Sequence, residues 1–485
     1  MTRKEILGKT FELINDYQSS VASGEKSVIN YHQPHQLKDK IDLKLPSKAG
    51  NYDNLFSDIE KYLKHSVHTS HKQFLNQLYS GENLPALIGE FITALTNTSM
   101  YTYEVAPLAT LIEKELINKM CRIAGFTDGG GTFTTGGSNA NMLAMMSARN
   151  KLLPDIKKNG LMGAQTLAVF VSDQSHYSFD TAANILGIGS DHVYKIKSDS
   201  HGRMLIEDLV KAIETSLIKS ETPFFIAATA GTTLLGAFDP LDEIAEIAQN
   251  YKIWMHVDGS FGGSIILSTK YKYLFNGIER ADSFTWNPHK LMNVPLIASV
   301  LLVKEKDRLL KNLTDLDTDY IYHDNDVQEY NLGKQSIQCG RRVDALKVWL
   351  AWRFYGDEGY AQRINRMFEL ANYARKKVDL YNQLQLLAEP QSLTICFTYK
   401  SDFEKENDKL NLEIRETLMK KGLSLVNYGY LKEKVAIRLV ISNPDIEEKD
   451  LDEFFENFVQ MGSVLENEKS IVQQVVQAEK CLIIE

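Results

Sequence analysis

Cysteine is scarce in these 485 residues: Cys121, Cys339, Cys396 and Cys481 are the whole supply, scattered far apart. There is no CxxC pair and no histidine at zinc-ligand spacing, so neither a disulfide framework nor a structural metal module is expected. Reduced thiols in a cytosol-like compartment are the economical reading. Long apolar runs are lacking too. The stretch Leu296–Val303 is among the longest, and a membrane-spanning helix needs about 20 such residues. The opening MTRKEILGKTFELINDYQ interleaves charges with apolar residues and so lacks the continuous core of a signal peptide. A soluble, cytoplasmic protein without a membrane partner is expected. Excess basic charge is also missing: 54 Lys and Arg stand against 63 Asp and Glu, a net charge of −9. That excludes a general nucleic-acid backbone binder but not a local basic pocket. No internal repeat and no low-complexity segment interrupts the chain.

What remains is an ordinary globular composition, 44% apolar and 24% charged, long enough for a large domain plus a smaller one. Residues 1–80 read as helices and loops. From 81 to 356, short apolar runs alternate with amphipathic segments. Strands are expected at Thr166–Val171, Phe224–Ala228, Ile253–Val257, Ser283–Trp286 and Leu296–Val303, and a helix at Pro240–Asn250. This alternation predicts an α/β domain with a mainly parallel sheet covered on both faces. Residues 357–465 change texture, with a long helical stretch, strands near Leu393–Tyr399 and Val435–Ile441, and a helix at Glu447–Gln460. They read as a smaller α+β domain. Residues 466–485 form a tail of no evident role.

Parallel sheets collect ligands at the carboxyl ends of their strands, and that is where the unusual residues lie. In DSFTWNPHK, Pro288 forbids continuation of a strand, which leaves His289 and Lys290 on the loop beyond it. A lone lysine there is ordinarily a surface amine; it can instead form a Schiff base. In HVDGSFGG, Asp258 ends an apolar strand. In GGGTFTTGGSNANM, a glycine-rich turn opens a helix with Ser138 and Asn139 at its amino end, where free N–H groups attract phosphate. This segment is neither a dinucleotide fingerprint nor a P-loop. His176 in SDQSHYS and Thr229 in ATAGTT each follow a further strand. Taken singly, each has a bland alternative as a cap or packing residue. Together they offer a phosphate cradle, a flat imidazole, a carboxylate and an amine, which are the needs of pyridoxal phosphate.

With those motifs in view, the chain resembles the group II pyridoxal-phosphate decarboxylases, specifically the glutamate and cysteine-sulfinate decarboxylase branch. FLNQLYSG, NTSMYTYEVAP, TTGGSNANM, SDQSHYS, ATAGTTLLGAFDP, HVDGSFGG, NGIERADSFTWNPHK, QCGRRVD and RLVISNP occur in family order between about Phe74 and Gly462. The resemblance implies fold type I, with a seven-stranded-type sheet, and a homodimer with its active site at the interface. It implies Lys290 as the residue that carries pyridoxal 5′-phosphate and Asp258 as partner of the pyridinium nitrogen. His176 would stack on the ring, with Thr229 near its polar edge. Ser138, Asn139 and Asn287 would bind the phosphate, with His289 beside it. The implied reaction is α-decarboxylation of an acidic L-amino acid (glutamate, aspartate or cysteine sulfinate), with Arg438 receiving the distal acid group and Gln77 nearby. The rivals are a decarboxylase of 2,4-diaminobutyrate or an aromatic amino acid, and a catalytically silent relative.

Two departures from the branch stand out. Relatives usually carry HVDAA followed by Trp, where this chain has Asp258-Gly259-Ser260-Phe261. The residue after the aspartate is expected under the cofactor ring, so Gly259 predicts a looser cofactor, and Ser260 and Phe261 a reshaped pocket. In the segment 319–336, which matches a mobile catalytic loop, Asp326 stands where a proton-donating tyrosine is expected. Tyr330, Tyr322 and Tyr320 are the substitutes, and Tyr330 is taken as the catalytic one.

Overall fold

The computed structural model describes residues 1–22, 26–161, 163–306, 326–401 and 406–482. The chain forms two compact units. One comprises residues 82–368 with 390–394; the other gathers residues 1–81, 369–389 and the chain from 395 onward.

The first unit is built on a seven-stranded sheet. Its strands are β1 (Gly130–Thr134), β2 (Leu167–Ser172), β3 (Val193–Ile196), β4 (Thr222–Thr229), β5 (Trp254–Gly259), β6 (Ser283–Trp286) and β7 (Ser299–Val303). Their order is β1-β7-β6-β5-β4-β2-β3. The pairs from β3 through β2, β4 and β5 to β6 are parallel, whereas β7 runs antiparallel to both β6 and β1. Consequently β1 points the same way as β2, β4, β5 and β6, and the carboxyl ends of these five strands share one edge. Strands β2, β5, β6 and β7 are buried along their whole length, as expected where helices cover both faces of a sheet. The helix Leu241–Tyr251 shows why: it turns Leu241, Ile244, Ala245, Ile247 and Ala248 inward. Phe179, Leu143 and Met145 pack with Val169, Phe225 and Leu301 in one apolar cluster.

Two strands of this sheet escape the sequence reading. Glycines are poor strand formers, so the run at 129–131 reads as a turn; in the structure Gly130–Thr134 pairs with Val303–Ser299. A β carbon on Gly131 would collide with the Leu301 carbonyl, so the close approach requires glycine. The other, β3, has only four residues at the sheet's edge. Conversely, the apolar run from Leu296 becomes strand only at Ser299. Arg341, from QCGRRVD, forms a deeply buried ion pair with Glu113 (2.8 Å) and donates to the Phe133 carbonyl (3.3 Å), which ties it to β1.

The second unit has a four-stranded sheet, β8 (Leu384–Ala388), β9 (Thr394–Tyr399), β10 (Asn427–Leu431) and β11 (Lys434–Val440), in the order β10-β11-β9-β8. The amino-terminal residues are part of it. After helices Arg3–Ala22, Pro34–Lys40 and Tyr52–His65, the chain runs beside the C-terminal strands. There Leu75 N–H donates to Leu425 O (2.8 Å) and receives the Val440 N–H at its carbonyl (3.1 Å). The expected break near residue 357 is a kink: the helix Asp344–Leu380 is interrupted at Gly356, whose φ of +64° suits glycine. The expected tail instead continues the helix Glu448–Leu482. Among the described residues no helix is long and apolar enough to cross a membrane.

Candidate active site

Asp258 lies near the end of β5, between Thr229 of β4 and Thr285 of β6 in register. Burial alone would force a proton onto it. Hydrogen bonds overcome that: the Ser260 hydroxyl and N–H (3.0 Å) and the Asn141 amide (2.8 Å) hold the carboxyl below its ordinary range. These bonds favour the anionic form of the buried Asp258. His256 fills the interior below it; burial pulls its imidazole down to about 4 although Asp258 acts in the opposite sense.

Beyond β6, Pro288 cannot pair, and the chain turns so that Lys290 N–H donates to Asn287 O at 3.0 Å. This places the Lys290 amine close enough to depress two histidines. His289 is pushed down to about 4, first by burial and then by Lys290. His176 is also lowered, chiefly by burial, with Asp258 raising it and Lys290 lowering it. A neutral imidazole at 176 is a flat apolar face, held in place by the Ser178 N–H donating to its Nδ1 (3.2 Å).

The helix Gly137–Leu152 begins on this edge with no side-chain cap at Gly136, so its first N–H groups remain for a ligand. Ser138 is exposed there and Asn139 half-buried. A β carbon on Gly137 would stand 2.6 Å from Ser260 Oγ and 2.9 Å from Asn287 Nδ2, so three strand ends converge on the space that glycine leaves. The other end of the Asn287 amide accepts from Ser299 Oγ (2.6 Å), which aims Nδ2 at that space. Asn139 Oδ1 and Thr229 Oγ1 are buried with no hydrogen-bond partner among the described residues. Leaving each orphaned costs about 1–3 kcal/mol, which a bound polar ligand would recover. Pyridoxal phosphate fits this donor set: the helix terminus would take its phosphate, and Asp258, His176 and Lys290 offer the carboxylate, flat ring and amine that it needs.

Two residues that sequence reasoning did not single out hold the site together. Asn141 links the helix to Asp258. Asp239, from GAFDP, accepts from the N–H groups of Thr229 and Met204, each at 2.7 Å, and so fixes the end of β4. Burial pushes its carboxyl up to about 7.

Gly259 behaves differently from expectation. Strand alternation turns it away from the side bearing Asp258 and Ser260, and a β carbon there would run into the Phe284 ring. The phenylalanine fills the room an alanine would take, and Ser260 is the residue on the same side as Asp258. Gly259→Ala is expected to overpack this spot and lower stability by about 1–3 kcal/mol in chemical denaturation. A variant that retains full stability would show that Phe284 has room to yield.

Tyr330 lies on a short turn, its ring 5.5 Å from that of Tyr103 and 4.0 Å beneath the Lys114 ammonium. Glu329 raises its phenol. No hydrogen bond joins it to Lys290, Asp258 or His176 among the described residues, and Asp326 is exposed. Tyr320 and Tyr322 lie outside the described residues. In the second unit, buried Arg438 of β11 donates to Asn76 O (2.7 Å), and Gln77 O accepts from Ser442 Oγ (3.4 Å). The structure thus sets Arg438 beside the segment that carries Gln77.

Residues 34–400 match the pyridoxal-dependent decarboxylase conserved domain. Over 464 residues the chain is 37% identical to the acidic amino acid decarboxylase GADL1 of Xenopus tropicalis, covering 93% of this chain and 91% of that protein. It is 36% identical to a glutamate decarboxylase of Drosophila melanogaster over 95% of this chain and 94% of that one. A crystal structure of mouse CSAD superposes with a TM-score of 0.91 at 35% identity, covering 95% of this chain and 98% of that one.

Proposed function

The chain belongs to the pyridoxal-dependent decarboxylase family, and from that premise we propose that it removes the α-carboxylate of an acidic L-amino acid: glutamate, aspartate or cysteine sulfinate. The observation that carries the chemistry is the buried carboxyl of Asp258, met by donors from Ser260 and Asn141, on the same sheet edge as Lys290. When bound, pyridoxal phosphate supplies an electron sink for the pair released as carbon dioxide leaves.

The chain's own groups do the rest. Lys290 would hold the cofactor through its side-chain amine. Asp258 keeps a proton on the ring nitrogen by staying anionic, and that charge is pre-organised rather than recruited during reaction. His176 offers an uncharged plane against the ring, with Thr229 Oγ1 as a donor at its polar edge. Ser138, Asn139, Asn287 and the helix terminus take the phosphate, and His289 braces the loop through the Ala298 backbone. Tyr330 is proposed to return the proton to the substrate's α carbon. We further propose a cytosolic homodimer with its active site at the subunit interface.

Arg438 is proposed to receive the distal acid group, with Gln77 beside it. A guanidinium pairs with a carboxylate or sulfinate bidentately, and its burial strengthens the preference for an anionic partner. Carbon dioxide release from a panel of amino acids tests this. The cofactor-loaded enzyme should prefer glutamate, aspartate or cysteine sulfinate to 2,4-diaminobutyrate and aromatic amino acids. Arg438→Gln should lower kcat/KM for the preferred acid by about 10–100-fold, the worth of a charge-assisted hydrogen bond. A preference for diaminobutyrate or an aromatic substrate would keep the decarboxylase and overturn the role of Arg438.

A further inference from the structure

Behind Asp258 runs a chain of buried hydrogen bonds whose direction follows from what each member can do. Trp254 Nε1 lies 2.8 Å from Ser283 Oγ, and an indole nitrogen only donates. Ser283 lies 2.8 Å from His256 Nδ1, and His256 Nε2 lies 3.1 Å from Asn141 Oδ1. Asn141 Nδ2 donates to Asp258 Oδ2 at 2.8 Å, and an ionised carboxylate only accepts. The carboxylate end fixes the Asn141 amide and, through it, a proton on His256 Nε2. Nδ2 must face Asp258, so Oδ1 faces His256 and needs a proton on Nε2. A neutral ring with its proton on Nε2 has a bare Nδ1, which accepts the Ser283 hydroxyl, whose oxygen accepts in turn from Trp254.

Side bonds lock this arrangement. Thr285 Oγ1 donates to Asn141 Oδ1 (2.9 Å), and Ser178 Oγ accepts from Asn141 Nδ2 (3.0 Å). All four hydrogen-bonding positions of the Asn141 amide are used, and flipping it would break every one. Asn141, His256, Ser283 and Thr285 are at most 1% exposed, so water cannot replace a lost partner.

We propose that His256, held as the neutral Nε2–H tautomer by Ser283 and Trp254, is a positioning residue that acts through Asn141 to keep Asp258 an anionic acceptor for the ring nitrogen of pyridoxal phosphate. This rests on the function proposed above. Every donor in the chain points toward Asp258, so its dipoles add to stabilise the anion. The last member is an amide, which releases no proton at physiological pH. The relay therefore supports the charge without offering Asp258 a proton that would compete with the one on the ring nitrogen. An imidazolium at 256 would break this polarity, since its Nδ1–H would oppose the hydroxyl hydrogen of Ser283. Burial disfavours that form in any case.

The test has two parts. In cofactor-free wild-type protein labelled with ¹⁵N-histidine, His256 should give the signature of a neutral Nε2–H imidazole between about pH 6 and 8, around its unperturbed value. An imidazolium or an Nδ1–H tautomer there overturns the proposal without any variant having to fold. The holoenzyme is then loaded with cofactor ¹⁵N-labelled at the ring nitrogen, in wild type, His256→Phe and His256→Gln. The phenylalanine removes the donor to Asn141; the glutamine keeps an amide N–H at the position of Nε2. In His256→Phe the ring-nitrogen signal should move toward the unprotonated form, and the cofactor dissociation constant should rise about tenfold, the scale of one buried hydrogen bond. His256→Gln should restore most of both. Two variants that match wild type, or that are displaced equally, sink the role given to His256. If borohydride fails to trap the cofactor on Lys290 in wild type, the proposed function falls, while the tautomer measurement still decides the state of the relay.

Discussion

Lys290→Ala is expected to leave a folded protein that releases carbon dioxide at no more than about one part in 10⁴ of the wild-type rate, the scale of losing a covalent catalytic group. Folding should survive because the backbone bond from Lys290 N–H to Asn287 O is untouched and the loop is pinned by Asn287 to Ser299 and by His289 to Ala298. The phosphate cradle at Gly137 and the anion at Asp258 also remain, so cofactor should still associate, though reversibly. Borohydride followed by peptide mass analysis separates the cases: wild type should carry a reduced cofactor adduct on the peptide containing Lys290, and the variant none. Wild-type turnover in Lys290→Ala would remove the lysine from the mechanism. Loss of turnover while cofactor still associates is also what excludes a silent binding relative, whose function would survive the substitution.

The sheet edge was legible because its signals are local. Pro288 stops a strand one residue before a histidine and a lysine, Asp258 closes an apolar run, and glycine punctuation precedes the helix at 137. What escaped depends on pairings across the chain. Strand β1 is glycine-rich and is made a strand by its neighbour β7, which no local pattern announces. Asn141 sits inside a helix, where an asparagine ordinarily faces solvent; only the fold brings it against Asp258, 117 residues away. Gly259 was misjudged for the same reason, because the ring that fills its missing β carbon belongs to the next strand. Residues 1–80 read only as helices and loops, and nothing local tells that Gln73 accepts from Ser424 across 351 positions. The strand ends on this edge could thus be read from the sequence, but the contacts behind them could not.

Those contacts make Asp258→Asn the sharper probe of mechanism. Asparagine matches aspartate in shape, so the strand and its neighbours should persist. Its amide oxygen can accept from only one side, and its NH₂ must then face a donor on the other, either Ser260 or Asn141. One unsatisfied contact of this kind costs about 1–3 kcal/mol, within the reserve of a stable domain. The loss of charge matters far more for turnover. Without the anion nothing holds the proton on the ring nitrogen, and the electron sink weakens where negative charge develops. Removing one pre-organised electrostatic group typically costs about 10²–10³ in kcat, and this group acts on the ring itself, so a fall of at least about 10³-fold is expected. KM should change much less, because the substrate's own contacts are left in place. A drop in kcat alongside a modest shift in melting temperature would identify Asp258 as an electrostatic catalyst. Equal losses in kcat and in the population of folded protein would reduce it to a structural anchor, and would leave the relay through Asn141 and His256 with only a structural charge to support.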